Sequence, residues 1–157
     1  MKLSRKDYAM LGHQLIKRRP DIAIGLLTEL LKYNSSEVKD LTLIPMYLQA
    51  FCDVRNIDTI KLKEEKYNQE LTENKREFIG MVLRIYHPFL FEAKDTSGFV
   101  PRHGICRQIA LTLNINDEGA AGSSNLIKQV VARLKSYHYK KHIENLYKEI
   151  IPINAAS

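Results

Sequence analysis

The clearest structural signal in the sequence lies in residues 72–87, TENKREFIGMVLRIYH. Its apolar side chains Phe78, Ile79, Val82, Leu83 and Tyr86 recur at i, i+1, i+4, i+5 and i+8. Side chains at these spacings share one face of an α-helix, which completes a turn about every 3.6 residues. The pattern predicts a helix over 72–87 that buries this face. Pro88 ends the helix, because the residue before a proline is pushed out of the helical region.

Helical spacing also recurs on both sides of this stretch. We expect helices at 4–17 and 21–33. A capping-box pattern at 34–37 predicts the start of a third helix, which continues to Cys52 with a kink or a break at Pro45. Residues 58–70 are charged, which indicates a solvated helix or a linker. A loop over 87–101, with a turn at 95–98, leads to further helices at 102–114, 125–137 and 139–151.

These segments predict an all-α fold, a compact domain of about six to eight helices, because no segment alternates polar and apolar residues as a half-buried strand does. The expected core consists of Phe78, Ile79, Val82, Leu83, Ile109, Leu113, Ile127, Val130, Val131 and Leu134. Residues 1–70 are expected to form an N-terminal helical region that packs beside residues 71–157, and the two regions can equally be one continuous domain. Leu26, Leu27, Leu30 and Leu31 make the first region a candidate for dimerisation, although core burial explains them equally well.

Composition excludes several classes of protein. With 157 residues, 45% of them hydrophobic and 27% charged, the chain has the composition of one globular domain and not of a disordered or collagenous segment. No apolar run approaches the roughly 18–20 residues that cross a bilayer, and no signal-peptide core follows the basic N-terminus. Cys52 and Cys106 are far apart in sequence, which suits reduced thiols in the cytoplasm, where we expect the protein to reside.

The positive charge is concentrated at the two ends of the chain. Residues 1–20 carry six Lys or Arg and one acid, residues 21–101 carry ten and thirteen, and residues 102–157 carry eight and four. The three segments therefore have net charges of +5, −3 and +4, which sum to the +6 of the whole chain. Basic segments separated by an acidic middle favour a polyanionic partner, and nucleic acid is the first candidate.

Residues 102–135 carry the pattern that suggests a function. The helix around Ala110 and Leu113, the turn that begins after Ile115, and the helix that starts near Ser124 resemble the two core helices of helix-turn-helix DNA-binding proteins. In that family a small residue matches Ala110, apolar residues match Leu113 and Ile115, and Gly usually stands where this chain has Asn114. The turn here is longer, because residues 116–122 occupy a place where the family needs about three or four residues.

The resemblance implies that helix 125–137 enters the major groove of DNA. Helical spacing directs Ile127, Val130, Val131, Leu134 and Tyr137 into the core and leaves a polar, basic outer face. Candidates for contacts with base edges are Ser123, Ser124, Asn125, Lys128 and Gln129. Candidates for phosphate contacts are Arg102, Arg107, Arg133, Lys135, Lys140 and Lys141. The alternative is that this face is only solvated.

The sequence therefore favours a small protein that binds double-stranded DNA as a transcriptional regulator or DNA-associated accessory factor, with a homodimer as a possible form. The alternatives are a helical module that binds an acidic protein, and a helical RNA-binding domain. We expect no enzyme activity, because nucleophile motifs and phosphate-cradling loops are missing from the sequence. We expect no cofactor and no small-molecule substrate.

Two other constellations contain side chains that could carry chemistry. His103 with Cys106, and His138 with His142, have helical spacings that could ligate zinc, but their arrangement matches no known finger, so we expect no metal. Glu73 and Glu77 could form a carboxylate pair, although a solvated helix face is the ordinary interpretation of acids four residues apart.

Overall fold

The computed structural model describes residues 4–26, 40–64, 68–116 and 122–155, and no strand occurs among them. The all-α class predicted from the sequence is confirmed. The chain divides into two compact units, Met1–Lys39 and Asp40–Ser157. No helix within the described ranges has the length and the hydropathy that a membrane span requires.

The described part of the first unit begins with helix α1, Arg5–Arg18. A capping box starts it: the Ser4 hydroxyl accepts a hydrogen bond from the Asp7 N–H at 3.2 Å, and the Asp7 carboxylate accepts one from the Ser4 N–H at 2.8 Å. Residues 20–26 are helical as well. The helix predicted at 4–17 is therefore confirmed. The rest of the helix predicted at 21–33, and the capping box at 34–37, lie outside the described residues.

The second unit opens with a short 3₁₀ turn, Leu41–Leu43, which leads directly into helix α2, Ile44–Arg55. Pro45 lies in the first turn of α2 and neither kinks nor splits it. A proline is tolerated there because its missing N–H would have no partner inside the helix. The remaining helices are α3 (Thr59–Leu62), α4 (Gln69–Tyr86), α5 (Phe89–Glu92), α6 (Ile105–Leu113), α7 (Ser123–Arg133) and α8 (Tyr137–Ala155).

Helix α4 is the centre of this unit, since it packs against α2, α3, α5, α7 and α8. The stripe predicted for it is correct: Phe78, Ile79, Val82 and Leu83 are fully buried. Tyr86 is half-buried, and its hydroxyl donates a hydrogen bond to the Asp40 carbonyl at 2.6 Å. All members of the expected core are buried except Val131, which is half-buried.

A close approach between α4 and α8 depends on Gly80. A Cβ at this position would lie 2.8 Å from Cδ1 of Ile143, a side chain that is itself fully buried. Carbon atoms in contact are normally about 3.5–4.0 Å apart, so only a glycine lets the two helices pack at this distance without displacing Ile143. A glycine lowers the stability of the helix locally, but the absence of a side chain lets α8 pack closely against α4 in addition to the other helices around it.

Several predicted boundaries are wrong. The helix predicted at 102–114 begins only at Ile105, and the one predicted at 72–87 begins at Gln69. Residues 89–92 form helix α5 and not a loop, because Leu90 and Phe91 are buried against the core. The helix predicted at 125–137 ends at Arg133, and Tyr137 begins α8 with 70% of its surface exposed, so it is not a core residue. Ser136 explains the break, because its hydroxyl accepts a hydrogen bond from the Tyr139 N–H at 3.5 Å and thus caps the next helix.

His87 fixes the segment that follows α4. Its Nε2 accepts a hydrogen bond from the Arg102 backbone N–H at 3.1 Å, and its ring meets Phe99 edge-on with ring centres 5.0 Å apart. This bond requires the neutral ring, with its proton on Nδ1. Burial, together with the charge of Arg102, lowers the pKa of His87 to about 4 from an ordinary value of 6.5.

Acidification should destabilise the protein through His87. Between pH 6.5 and about 4 the unfolded chain binds a proton that the folded chain does not, so the stability contributed by neutral His87 is complete above pH 6.5 and is lost as the pH falls. The full effect is about 3 kcal/mol, at 1.36 kcal/mol per pKa unit. Urea unfolding at pH 7 and pH 4 checks it. His87→Gln, whose amide oxygen can still accept the Arg102 N–H, should lose this part of the pH dependence, and an unchanged pH dependence would contradict the assignment.

Candidate nucleic-acid interface

The outward face of α7 carries some of the residues predicted to contact DNA. Ser124, Lys128 and Ala132 are exposed and lie four residues apart, on one side of the helix. Lys135, in the turn after the helix, is exposed as well. Asn125 is half-exposed at the edge of this face. We call Ser124, Lys128, Ala132 and Lys135 the α7 face.

Ser123 does not belong to this face, since its side chain is fully buried. The helix predicted at 125–137 starts after Ser123 and Ser124, which would leave both serines outside the core as candidates for base contacts. Instead Gly122 is the N-cap, and Ser123 is the first helical residue. This shift places Ser123 among the buried residues of the helix, beside Leu126 and Ile127.

Gln129 and Arg133 lie on the side of α7 that faces α4, where they form a polar cluster with Glu73 and Arg76. The Glu73 carboxylate accepts two hydrogen bonds from Arg133, at 2.5 and 3.1 Å, and one from Arg76 at 2.5 Å. The Gln129 Oε1 accepts two from Arg76, at 3.0 and 2.7 Å. The hydrogen bonds from Arg133, above all, hold the pKa of Glu73 below its usual value. We call these four residues the α4–α7 cluster.

Helix α8 is attached to α4 by further polar contacts. The hydroxyl of Tyr139 donates a hydrogen bond to the Arg76 carbonyl at 3.4 Å, and burial raises the pKa of Tyr139 to about 12. Glu77, mostly buried, lies 3.0 Å from His142 Nε2 and 2.9 Å from Arg55 of α2. The interpretation of Glu73 and Glu77 as a solvated pair is therefore wrong, because both are ion-paired between helices.

These contacts hold the inner side of α8 against its neighbours. On the other side, near the start of the helix, Lys141 is exposed and Lys140 is half-exposed. The ammonium of Lys141 lies 6.0 Å from the ring centre of Tyr137, within cation–π range. Of the predicted phosphate contacts on the preceding segment, Arg107 is exposed on α6 and Arg102 is half-buried. The structure therefore leaves Arg107, Lys135 and Lys141 exposed and engages Arg133 with Glu73.

The geometry around α6 and α7 bears on the helix-turn-helix resemblance. The two helices pack against each other, and Ala110 and Leu113 are buried. Asn114 ends α6 in the left-handed conformation, with φ 53°, at the position where the family usually has Gly. Asn tolerates this conformation better than most residues. Residues 117–121 of the enlarged turn lie outside the described residues, so the resemblance stays a hypothesis.

The histidine and cysteine pairs do not converge in the described part of the chain. His103 is exposed, Cys106 is half-buried, and His142 is bonded to Glu77. In the ranges that the structure describes, no three His, Cys, Asp or Glu side chains are grouped so that they could hold a metal ion.

Comparison with known proteins gives no relative: no protein-family model, no curated protein and no solved structure matches the chain.

The Glu73–Arg133 ion pair should stabilise the fold. An arginine that only binds phosphate would not need to contribute to stability. In a double-mutant cycle with Glu73→Ala and Arg133→Ala we expect a coupling energy of about 0.5–1 kcal/mol, since the pair is partly exposed but shares its carboxylate with Arg76. Urea unfolding of the single and double variants measures it. Lys135→Ala is the matched control and should change stability by less than about 0.5 kcal/mol. If the stability lost in the double variant equals the sum of the losses in the two single variants, the ion pair contributes nothing to stability.

Proposed function

We propose that this protein binds double-stranded DNA through the α7 face and the beginning of α8, as a transcriptional regulator or DNA-associated accessory factor. The observation that carries the proposal is a stretch of sequence without carboxylates. Residues 119–143 contain no Asp or Glu but five Lys or Arg: Lys128, Arg133, Lys135, Lys140 and Lys141. DNA carries one negative charge per about 1.7 Å of its axis, so a surface that binds it needs cations without competing acids.

The contacts around this surface refine the roles of its residues. Arg133 is paired with Glu73, which leaves Lys128, Lys135, Lys140 and Lys141 for the DNA. The contacts of Arg133 and Gln129 with α4 hold α7 in place, and a fixed helix presents its outward face without first losing conformational freedom. We assign base contacts to Ser124 and Lys128, with Asn125 at the edge, because a lysine in the major groove can reach guanine.

Binding to duplex DNA should fall steeply with salt. If four phosphates are neutralised, the logarithm of the binding constant should decline with the logarithm of salt concentration with a slope of about −3.6. Lys141→Ala should weaken binding to all sequences alike and make this slope shallower by about one unit. Lys128→Ala should cost roughly 1–3 kcal/mol on a selected site and less on random duplex, because a lost base contact removes discrimination. Fluorescence anisotropy on both duplexes measures these effects.

Lys61→Ala controls for the loss of one positive charge, since Lys61 is exposed on α3 and outside the proposed surface; it should leave the affinity and the slope nearly unchanged. Three results would redirect the assignment. An absence of duplex binding at about 50 mM salt would contradict it and favour an acidic protein partner. A preference for single-stranded RNA as competitor would favour the RNA-binding alternative. Equal effects of Lys61→Ala and Lys141→Ala would mean that net charge, and not this surface, governs binding.

We further propose that the N-terminal unit joins two copies of the chain. Within residues 4–26, large apolar side chains are exposed to an unusual extent: Tyr8, Met10, Leu11, Ile16, Ile22, Ile24 and Leu26. Clusters of this kind mark interaction surfaces in monomeric proteins. A dimer would also present two DNA-binding surfaces, as helix-turn-helix proteins commonly do.

Sedimentation velocity between about 1 and 100 μM should show a dimer that dissociates on dilution. Leu11→Glu, in the middle of α1, should shift the equilibrium to the monomer, because it places a charge among apolar side chains. Met46→Glu makes the same kind of change at an exposed position of α2 and should leave the dimer intact. A monomer at every concentration would exclude this part of the proposal and leave the DNA assignment untouched.

The proposed role is binding without catalysis. Cys52 and Cys106 form no disulfide, and burial raises the pKa of the Cys52 thiol above its usual value. A buried thiol with a raised pKa is a poor nucleophile and resists oxidation. We propose the cytoplasm as the compartment of this protein, because thiols are kept reduced there.

A further inference from the structure

The first residues of α8 include an aromatic side chain to which the proposed DNA binding gives no role. The helix begins with YHYKKH, a mixture of aromatic and basic residues. Tyr139 and His142 of this stretch face α4 and are hydrogen-bonded to it. Tyr137, His138 and Lys141 are exposed. A ring that could have belonged to the core is therefore at the surface, within the basic segment.

The ring of Tyr137 has a defined setting but little cover. The Lys141 ammonium lies over the ring, 6.0 Å from its centre, and the His138 ring meets it edge-on with ring centres 6.0 Å apart. Both neighbours restrict the orientations of the tyrosine side chain. Yet 70% of the residue is exposed, so most of the ring surface is open to a flat ligand.

Positive charge surrounds this ring. Lys135, Lys140 and Lys141 lie within four residues of Tyr137, in a stretch of sequence, 119–143, that has no acid. A cationic ligand would be repelled here, whereas a flat ring attached to a phosphate would be attracted. Nucleotides combine these two features, and Tyr137 follows directly after the α7 face, to which we assign DNA.

An acid lies within electrostatic reach of Lys135 at one edge of this surface. Hydrogen bonds from Ser97, and more weakly the ammonium of Lys135, lower the pKa of Asp95. The two Asp95 carboxylate oxygens accept these bonds from the Ser97 N–H and the Ser97 hydroxyl, at 2.9 Å each. The Asp95 carboxylate is thus already engaged, and the cation that lies over the Tyr137 ring is Lys141.

A continuous duplex offers this ring little to stack on, because neighbouring base pairs cover both faces of each base. A base presents a free face where a strand is unpaired or where the base has been extruded from the stack. Proteins that bind single strands stack aromatic side chains on such bases, and replacing one of these side chains by alanine weakens binding about 5- to 150-fold. The exposed ring of Tyr137 therefore suits an unpaired base.

The chain limits how far this ring lies from the proposed duplex contacts. Tyr137 follows Lys135 of the α7 face by two residues, so their Cα atoms are at most about 7.6 Å apart. A base pair occupies about 3.4 Å of the duplex axis, so this distance corresponds to about two base steps. One DNA molecule can therefore contact the α7 face and Tyr137 together.

We propose that Tyr137 stacks on the first unpaired base beside a duplex that the α7 face holds, so that the protein prefers a junction of double- and single-stranded DNA to a continuous duplex. Lys141 contacts a phosphate of the unpaired strand, next to the stacked base. The proposal rests on the proposed binding of DNA and specifies which form of DNA is bound.

Fluorescence anisotropy with the full-length chain tests this preference. Two probes carry the same number of phosphates: a blunt duplex, and a duplex of fewer base pairs that ends in thymine overhangs. Charge alone favours the blunt duplex, because a double strand releases more counterions per phosphate than a single strand does. We expect the opposite order, with the overhang probe bound about tenfold more tightly.

Variants of Tyr137 separate stacking from other contacts. Tyr137→Ala and Tyr137→Leu remove the aromatic ring and should abolish the preference, while the affinity for the blunt duplex changes less than about twofold. Tyr137→Phe keeps the ring and should keep the preference. Ile60→Ala is the control for the loss of an exposed apolar side chain, since Ile60 lies on α3 with 76% of its surface exposed; it should leave both affinities unchanged. The exposure of both residues makes the fold insensitive to these changes.

Equal affinities of the unmodified chain for the two probes would overturn the stacking proposal and leave the proposed function intact. A preference that persists in Tyr137→Ala would overturn it as well, and one that persists in Tyr137→Leu would do so by showing an apolar contact in place of stacking. A free single strand that binds more tightly than the overhang probe would also overturn it, because no duplex would then be needed. No binding to either probe would contradict the proposed function itself.

Discussion

Helix α4 can be surrounded by other helices only because its buried side combines large and minimal side chains. Phe78 and Leu83 fill the space toward their neighbours, whereas Gly80 leaves room for Ile143 of α8. With α8 this close, Tyr139 reaches the Arg76 carbonyl and His142 reaches Glu77. The polar contacts that orient α7 and α8 are thus a consequence of apolar packing one or two turns away. Both helices of the proposed DNA surface depend on this arrangement.

The same packing divides the basic residues into two groups. Arg133, which faces α4, is neutralised by Glu73 of that helix. In the reverse arrangement, Arg84 of α4 is neutralised by Glu144 of α8. Cations on the outer side, such as Lys128 and Lys141, are exposed. On α4, α7 and α8 the arginines lie at inner positions and the exposed cations are lysines. This fits the division, because the planar guanidinium binds a carboxylate in a fixed geometry that an ammonium does not match. Net charge alone therefore overstates how much of the basic segment a polyanion can contact.

The sequence sufficed to predict the helical class, the stripe of α4 and nearly all of the expected core, because apolar spacing directly reports which side of a helix is buried. It failed at Ser136 and at Phe89 to Glu92. A serine in the middle of a periodic segment looks the same whether it lies inside a helix or caps the next one, and only the tertiary position of Tyr137 decides between them. The four-residue helix α5 is too short for a periodic signal and exists because the core covers Leu90 and Phe91.

The candidate sites were hard to predict for a different reason, since contacts between residues far apart in sequence leave no local pattern. Glu73 and Arg133 are 60 residues apart, and Arg76 and Gln129 are 53 apart. Spacing along α7 correctly excluded these side chains from its apolar stripe, but polar side chains outside that stripe can face either solvent or another helix.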